Sequence, residues 1–122
     1  MKISDMSIEE WLLTYGPKAR GNLQMYVDYM QENHSEIKPV ISFDQLTYPI
    51  GGGKSRSSIG FVAGKTYVAM HSPDADYLNI MREKLGRPGK ARGCVHIEFK
   101  AEEELEVAFN GIEELLRRAG IK

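Results

Sequence analysis

The sequence predicts a single α+β domain in which an antiparallel or mixed sheet of about four strands is flanked by helices. Three observations support this class. The chain has 122 residues, which is one domain's worth of length. Apolar residues recur at helical spacing near both ends, and short runs of alternating apolar and polar residues lie between them. We expect the order α-α-β-β-β-α-β-α, and one domain over residues 1–122 because no repeat or long linker divides the chain.

The first two helices have clear start signals. Ser7 followed three residues later by Glu10 has the spacing of a capping box. Gly16 and Pro17 then favour the end of one helix and the start of the next. The second helix carries one apolar stripe, which we assign to the core: Ala19, Leu23, Tyr26, Val27 and Met30.

Three strands are expected before the next helix. Residues 39–43 are short and β-branched, and residues 57–63 and 66–71 alternate in polarity. Gly64-Lys65 has the composition of a two-residue type II′ turn, which predicts an antiparallel hairpin. The polar stretch that begins at Gly51-Gly52-Gly53 has no periodicity and is interpreted as a mobile connection.

A helix, a strand and a final helix complete the predicted order. Residues 72–74, Ser-Pro-Asp, suggest a cap, a first helical residue and an acid matched to the helix dipole, and Gly86 is expected to end this helix. Residues 94–99 alternate as a strand. The last helix is predicted from one long apolar stripe: Leu105, Ala108, Phe109, Ile112, Leu115, Leu116 and Ala119.

Charge is segregated along the chain. Residues 38–100 carry ten basic and five acidic side chains, whereas each end segment carries three basic and six acidic ones. This pattern indicates either solvated acidic helices that partly pair with the middle or a cationic binding face. A pI near 6.3, with no aromatic platform among the basic residues, argues against nucleic acid as a partner.

Composition also bears on localisation. No apolar run approaches the roughly 20 residues of a membrane helix. The first residues lack the apolar stretch of a signal peptide. Cys94 is the single cysteine and cannot form an internal disulfide. We therefore expect a cytoplasmic protein that does not bind a membrane.

The glycine-rich segment resembles a nucleotide loop only in part. A phosphate loop needs a glycine five positions before its Gly-Lys-Ser run, and Tyr48 occupies that place before Gly53-Lys54-Ser55. A helix must follow so that its N-terminus meets the phosphates, yet residues 57–63 are predicted to be a strand. We therefore reject nucleotide hydrolysis.

The most informative pattern is a strand face that collects polar and reactive side chains. Residues two apart on a strand point the same way, so Cys94 and His96 share a face, as do Tyr67 and His71 on another strand. We predict a non-catalytic site for a small anionic ligand on this face, with two basic residues as its rim. The predicted site residues are Tyr67, His71, Lys90, Arg92, Cys94 and His96.

Two other roles are conceivable for Cys94 and His96. The pair could hold a transition metal if His71 or a carboxylate joined it, but a zinc site normally has four ligands and no Cys-x-x-Cys element is present. A thiol activated by the histidine would be a nucleophile. No orienting carboxylate or oxyanion-hole motif accompanies it, so we favour a protein that is not an enzyme.

From Ser7 to Gly120 the chain resembles the YdhG-like family, small bacterial domains of unknown function. The resemblance implies an α+β fold with an antiparallel sheet and flanking helices. The most specific block is Gly-Lys-Ala-Arg-Gly-Cys-Val-His-Ile. The matching segments are residues 7–12, 17–20, 40–43, 59–65 and 89–97.

The resemblance also supplies an alternative function and one departure. Some relatives are described as frataxin-like iron chaperones, which implies iron carriage by oxygen ligands. Relatives commonly place a Gly-x-Pro turn after the first strand, where this chain has residues 44–48 instead. A third alternative is a homodimeric interaction module. The acids available to iron are Glu9, Glu10, Glu102, Glu103, Glu104 and Glu106.

Overall fold

The computed structural model describes residues 7–42, 44–50, 57–87, 93–99 and 102–120. Within these ranges five strands form one open antiparallel sheet in chain order, accompanied by four helices. The predicted α+β class is confirmed, and the sheet has five strands rather than about four. The elements are α1 (Ile8–Leu12), α2 (Pro17–Asn33), β1 (Val40–Ser42), β2 (Gln45–Ile50), β3 (Ser57–Ala63), β4 (Tyr67–His71), α3 (Ala75–Lys84), β5 (Cys94–Glu98) and α4 (Glu102–Arg118).

The additional strand is β2, between the first and second predicted strands. Its Leu46, Tyr48 and Ile50 are buried on one face, which is the period-2 alternation of a half-buried strand. Pro49 lies on the opposite face, beyond the last residue pair that β2 forms with β1. The predicted mobile connection over residues 51–56 lies outside the described residues.

The turn between β1 and β2 is tight and lies against α1. Ser42 and Gln45 are Cα partners across the two strands, so the chain reverses within two residues. Asp44 lies there with φ +62°, a left-handed conformation that aspartate tolerates better than most residues. The Trp11 indole N–H donates to the Asp44 carbonyl and carboxylate, each at 3.3 Å, which fixes the turn against α1.

The hairpin between β3 and β4 is confirmed with a shifted turn. Ala63 pairs with Val68, and the Gly64 N–H donates to the Tyr67 carbonyl at 2.8 Å, so the central turn residues are 65 and 66 rather than Gly64-Lys65. Glycine is needed at position 64 for another reason. A Cβ there would lie 2.5 Å from the Tyr67 ring, which folds back over this residue.

The start of α3 also differs from expectation. The helix begins at Ala75, and its N-cap is Asp74, whose carboxylate accepts from the Tyr77 N–H at 3.2 Å. Ser72 lies before the helix, where its hydroxyl accepts from the Asp74 N–H at 3.1 Å. The helix ends as predicted, because Gly86 adopts φ +75° just after it.

The core lies between one face of the sheet and the helices. Phe61 at its centre is fully buried, with the Tyr26 ring centroid 4.8 Å away and that of Tyr48 6.0 Å away. Gly111 in α4 lets α3 approach closely, since a Cβ there would lie 2.6 Å from the Met81 methyl group. In the described residues no helix is long and apolar enough to cross a membrane.

Candidate functional site

The face of the sheet opposite the core, here called the outer face, carries the polar side chains. Strand alternation buries the residues on the core side and leaves those on the outer face partly or fully exposed, apart from Gly60 and Ala69. The outer face therefore offers polar groups to solvent on all five described strands. Its residues, by strand register, are Val40, Ser42, Gln45, Thr47, Pro49, Ser58, Gly60, Val62, Tyr67, Ala69, His71, Cys94, His96 and Glu98.

Four of the predicted site residues share this face. His71 and Cys94 are Cα partners across β4 and β5. The rings of Tyr67 and His96 stack with centroids 3.9 Å apart and planes 13° apart, as diagonal neighbours on adjacent strands can. Lys90 and Arg92 lie outside the described residues.

His71 is a neutral imidazole near pH 7. Partial burial lowers its pKa below the ordinary value of 6.5, and the neighbouring His96 lowers it further by charge repulsion. A neutral imidazole has one N–H donor and one nitrogen acceptor. His71 can therefore both give and accept a hydrogen bond.

A polar cavity of about 360 Å³ lies on the outer face beside His71. It spans the middle of the sheet and the segment that leads into α3. Hydroxyl groups, one amide and one imidazole supply its polar groups. The lining residues are Ser42, Gln45, Thr47, Ser58, Gly60, His71, Ser72, Pro73 and Gly93.

Several polar groups of this cavity keep capacity for a ligand. Thr47 donates its hydroxyl to the Gln45 carbonyl at 3.1 Å and retains its oxygen lone pairs. Ser72 accepts from the Asp74 N–H and retains its O–H donor. Glycine at position 60 makes room, because a Cβ there would lie 2.5 Å from the Gln45 amide oxygen.

Sequence reasoning missed the part of this site that lies on β1, β2 and β3. Ser42 and Ser58 each occupy an outward position of an alternating strand, so the signal was present. Gln45 belongs to the strand that was not predicted. Their proximity to His71 depends on strand order, which the sequence pattern did not fix.

The free edge of β5, next to the site, is closed by an ion pair. Arg87 holds Glu104 through two N–H groups, at 3.1 and 2.9 Å, and also donates to the His96 carbonyl. The Glu104 carboxylate in turn accepts from the Glu98 N–H at 3.0 Å. Arg87 holds the pKa of Glu104 below its usual value. Two backbone groups that could pair with another strand, the His96 carbonyl and the Glu98 N–H, are thus already bonded.

The described residues do not form a metal-binding site. No group of three or more His, Cys, Asp and Glu side chains there is arranged to hold a metal ion. The iron-carrier alternative stays a prediction from the resemblance.

Comparison of the chain with known protein families, with curated proteins and with solved structures gave no match. The YdhG-like assignment stays a prediction based on the motifs quoted above. The functional argument therefore rests on the geometry of the outer face.

Proposed function

We propose that this protein is a non-catalytic binding protein for a small polar molecule that carries a carboxylate or another oxyanion. The observation that supports it is the outer-face cavity of about 360 Å³, within the size range of small-molecule sites. Its polar groups converge from four neighbouring strands and from the segment that leads into α3. Convergent polar groups in a concave site are what fixes a small ligand in one orientation.

The donors of the cavity favour oxygen acceptors on the ligand. The Ser72 O–H has no acceptor among the described residues, the Gln45 amide carries two N–H groups, and neutral His71 carries one N–H. Arg92 directly precedes the lining residue Gly93 in the chain. A charge-assisted hydrogen bond to an oxyanion is stronger than one between neutral groups.

A binding role is preferred to catalysis because no activated nucleophile is evident. Among the described residues no hydrogen bond joins the Cys94 thiol to His71 or His96, although all three share the outer face. An activated thiol needs such a base within hydrogen-bond reach. The imidazole of His96 instead stacks on the ring of Tyr67, which is a packing contact.

Replacing Gln45 by alanine tests the cavity. A thermal-shift panel of small carboxylates, phosphates and neutral polar compounds identifies a binder, and a ligand at about 100 times its Kd stabilises the fold by about 2.7 kcal/mol. We expect Gln45→Ala to weaken that binding about tenfold, since it removes a hydrogen bond to a charged group. Titration followed by NMR amide shifts measures Kd and locates the site.

Gln31→Ala is the matched control, because Gln31 is exposed on α2 and lies away from the cavity. It should bind the ligand as the unmodified protein does. Equal weakening by both substitutions, or amide shifts confined to residues off the outer face, would contradict the proposal. So would a panel in which no oxyanion raises the unfolding temperature.

His71 should make stability fall as the pH drops below about 6.5. Its folded-state pKa lies below the ordinary value, so the unfolded chain takes up the proton first. The stabilisation that neutral His71 contributes to the folded state is complete above pH 6.5 and is lost as the pH falls toward the folded-state pKa of His71. Urea midpoints measured between about pH 7.5 and pH 5 should show this loss, and His71→Gln should reduce it.

His96→Gln is the control for this measurement. Burial is the larger cause of the His71 shift and the charge of His96 the smaller one, so this variant should keep most of the pH dependence. Identical profiles for His71→Gln and the unmodified protein would show that His71 is not the group responsible.

A further inference from the structure

A second cavity lies on the other side of the sheet, between α2 and the start of α4. Its volume is about 200 Å³, comparable to cavities that accept benzene-sized molecules. Aliphatic side chains form most of its wall, and Met25 among them is 38% exposed. The aliphatic residues are Met25, Val68, Ile97 and Leu105.

Tyr26 forms part of this cavity and has an unusual hydroxyl. The side chain is 1% exposed, and its ring packs against Phe61 and Phe109 at centroid distances of 4.8 and 5.6 Å. The hydroxyl oxygen is buried and has no hydrogen-bond partner within the described part of the chain. Buried hydroxyls are nearly always bonded, so a polar group that reached this oxygen would be stabilised.

The polar residues of the same cavity include one carboxylate. Glu102, at the start of α4, lines it, and so does the end of β5 at Glu98, whose side chain belongs to the outer face by strand register. None of the described lining residues is cationic. Burial, and to a smaller extent the nearby Glu104 carboxylate, raises the pKa of Tyr26, and Arg87 already pairs with that carboxylate. An apolar pocket beside an acidic residue suits a ligand in which a cationic group is attached to an apolar group.

We infer that this cavity binds a small primary amine carried on an apolar group about the size of a substituted benzene ring. The ring would contact Met25 and Leu105, while the ammonium would donate to Glu102 and the unpaired Tyr26 hydroxyl. Because the cavity and the outer face lie on opposite sides of the sheet, this inference is independent of the proposed function.

Three probes of similar shape test the inference on the full chain. They are 2-phenylethylamine, 2-phenylethanol and 3-phenylpropanoate, which present a cation, a neutral hydroxyl and an anion. We expect NMR amide shifts around Met25 and Leu105 with the amine, binding about fivefold weaker with the alcohol, and none with the carboxylate. Equal binding of all three probes, or no shift with the amine, would overturn the inference.

Further variants distinguish the contribution of the Glu102 charge to binding from that of the apolar cavity. Glu102→Gln should weaken amine binding about fivefold and leave binding of the alcohol unchanged. Glu103→Gln is the matched control, because Glu103 is exposed in the same helical turn but does not line the cavity. Leu105→Trp should fill the space and abolish binding of both probes. Equal effects of Glu102→Gln and Glu103→Gln would show that only general surface charge attracts the amine.

Discussion

Replacing Glu104 by alanine is expected to lower the free energy of unfolding by about 2 kcal/mol. This carboxylate, 20% exposed, binds two N–H groups of Arg87 and the backbone N–H of Glu98. Its removal leaves the Arg87 guanidinium without its anion and the Glu98 N–H without its acceptor. The arginine is 37% exposed, so water replaces part of the lost interaction and the effect stays below that of a fully buried pair.

The same substitution should expose the edge of β5. Once the Glu98 N–H is unpaired and Arg87 is no longer held over the His96 carbonyl, both backbone groups can pair with another strand. We expect the Glu104→Ala variant to associate with rising concentration, which light scattering detects. Edge pairing of this kind is the contact that a homodimeric module would use, and the native ion pair opposes it at this edge.

Glu103→Ala is the control, since Glu103 is exposed in the same turn and gains the same helix propensity. Its free energy of unfolding, measured by urea titration, should change by less than about 0.5 kcal/mol. If both variants lose the same stability and neither associates, the ion pair does not protect the edge.

Much of the fold depends on local patterns that can be recognised in the sequence. The capping box of Ser7 and Glu10 is present with both of its hydrogen bonds at 3.1 Å. The alternation around Val95 and Ile97 buries these two and leaves His96 exposed, as period 2 requires. Such features depend on residues a few positions apart, so a single sequence is sufficient to predict them.

Features that depend on distant pairing could not be predicted in this way. Pro49 lowers the strand propensity of β2, and it is tolerated there because β1 pairs with β2 only as far as Thr47. The cavity beside His71 needs β2 and β3 in register, with Gln45 lying over Gly60. The void beside Tyr26 is equally hidden, since an apolar stripe predicts burial but not imperfect packing.

Replacing Asp74 by alanine is expected to remove about 2 kcal/mol from the free energy of unfolding, because one side chain has two structural roles. Its carboxylate caps α3 by accepting from the Tyr77 N–H at 3.2 Å. It also binds Arg118 at the end of α4 through two hydrogen bonds, at 2.6 and 3.2 Å. Asp76→Ala, in the same turn but exposed, should cost less than about 0.5 kcal/mol.

Asp74→Asn separates the two roles, because an amide oxygen still caps the helix while the charge that holds Arg118 is gone. It should lose roughly half of what Asp74→Ala loses. The Arg118 guanidinium holds the pKa of Asp74 below its ordinary value of 3.8, so the ion pair stabilises the fold above that pH. That contribution disappears as the pH falls through the folded-state pKa. At low pH the Asp74→Asn variant and the unmodified protein should therefore have the same stability, and Asp74→Ala should stay less stable because it lacks the cap. A difference between Asp74→Asn and the unmodified protein that does not change with pH would contradict the ion-pair role.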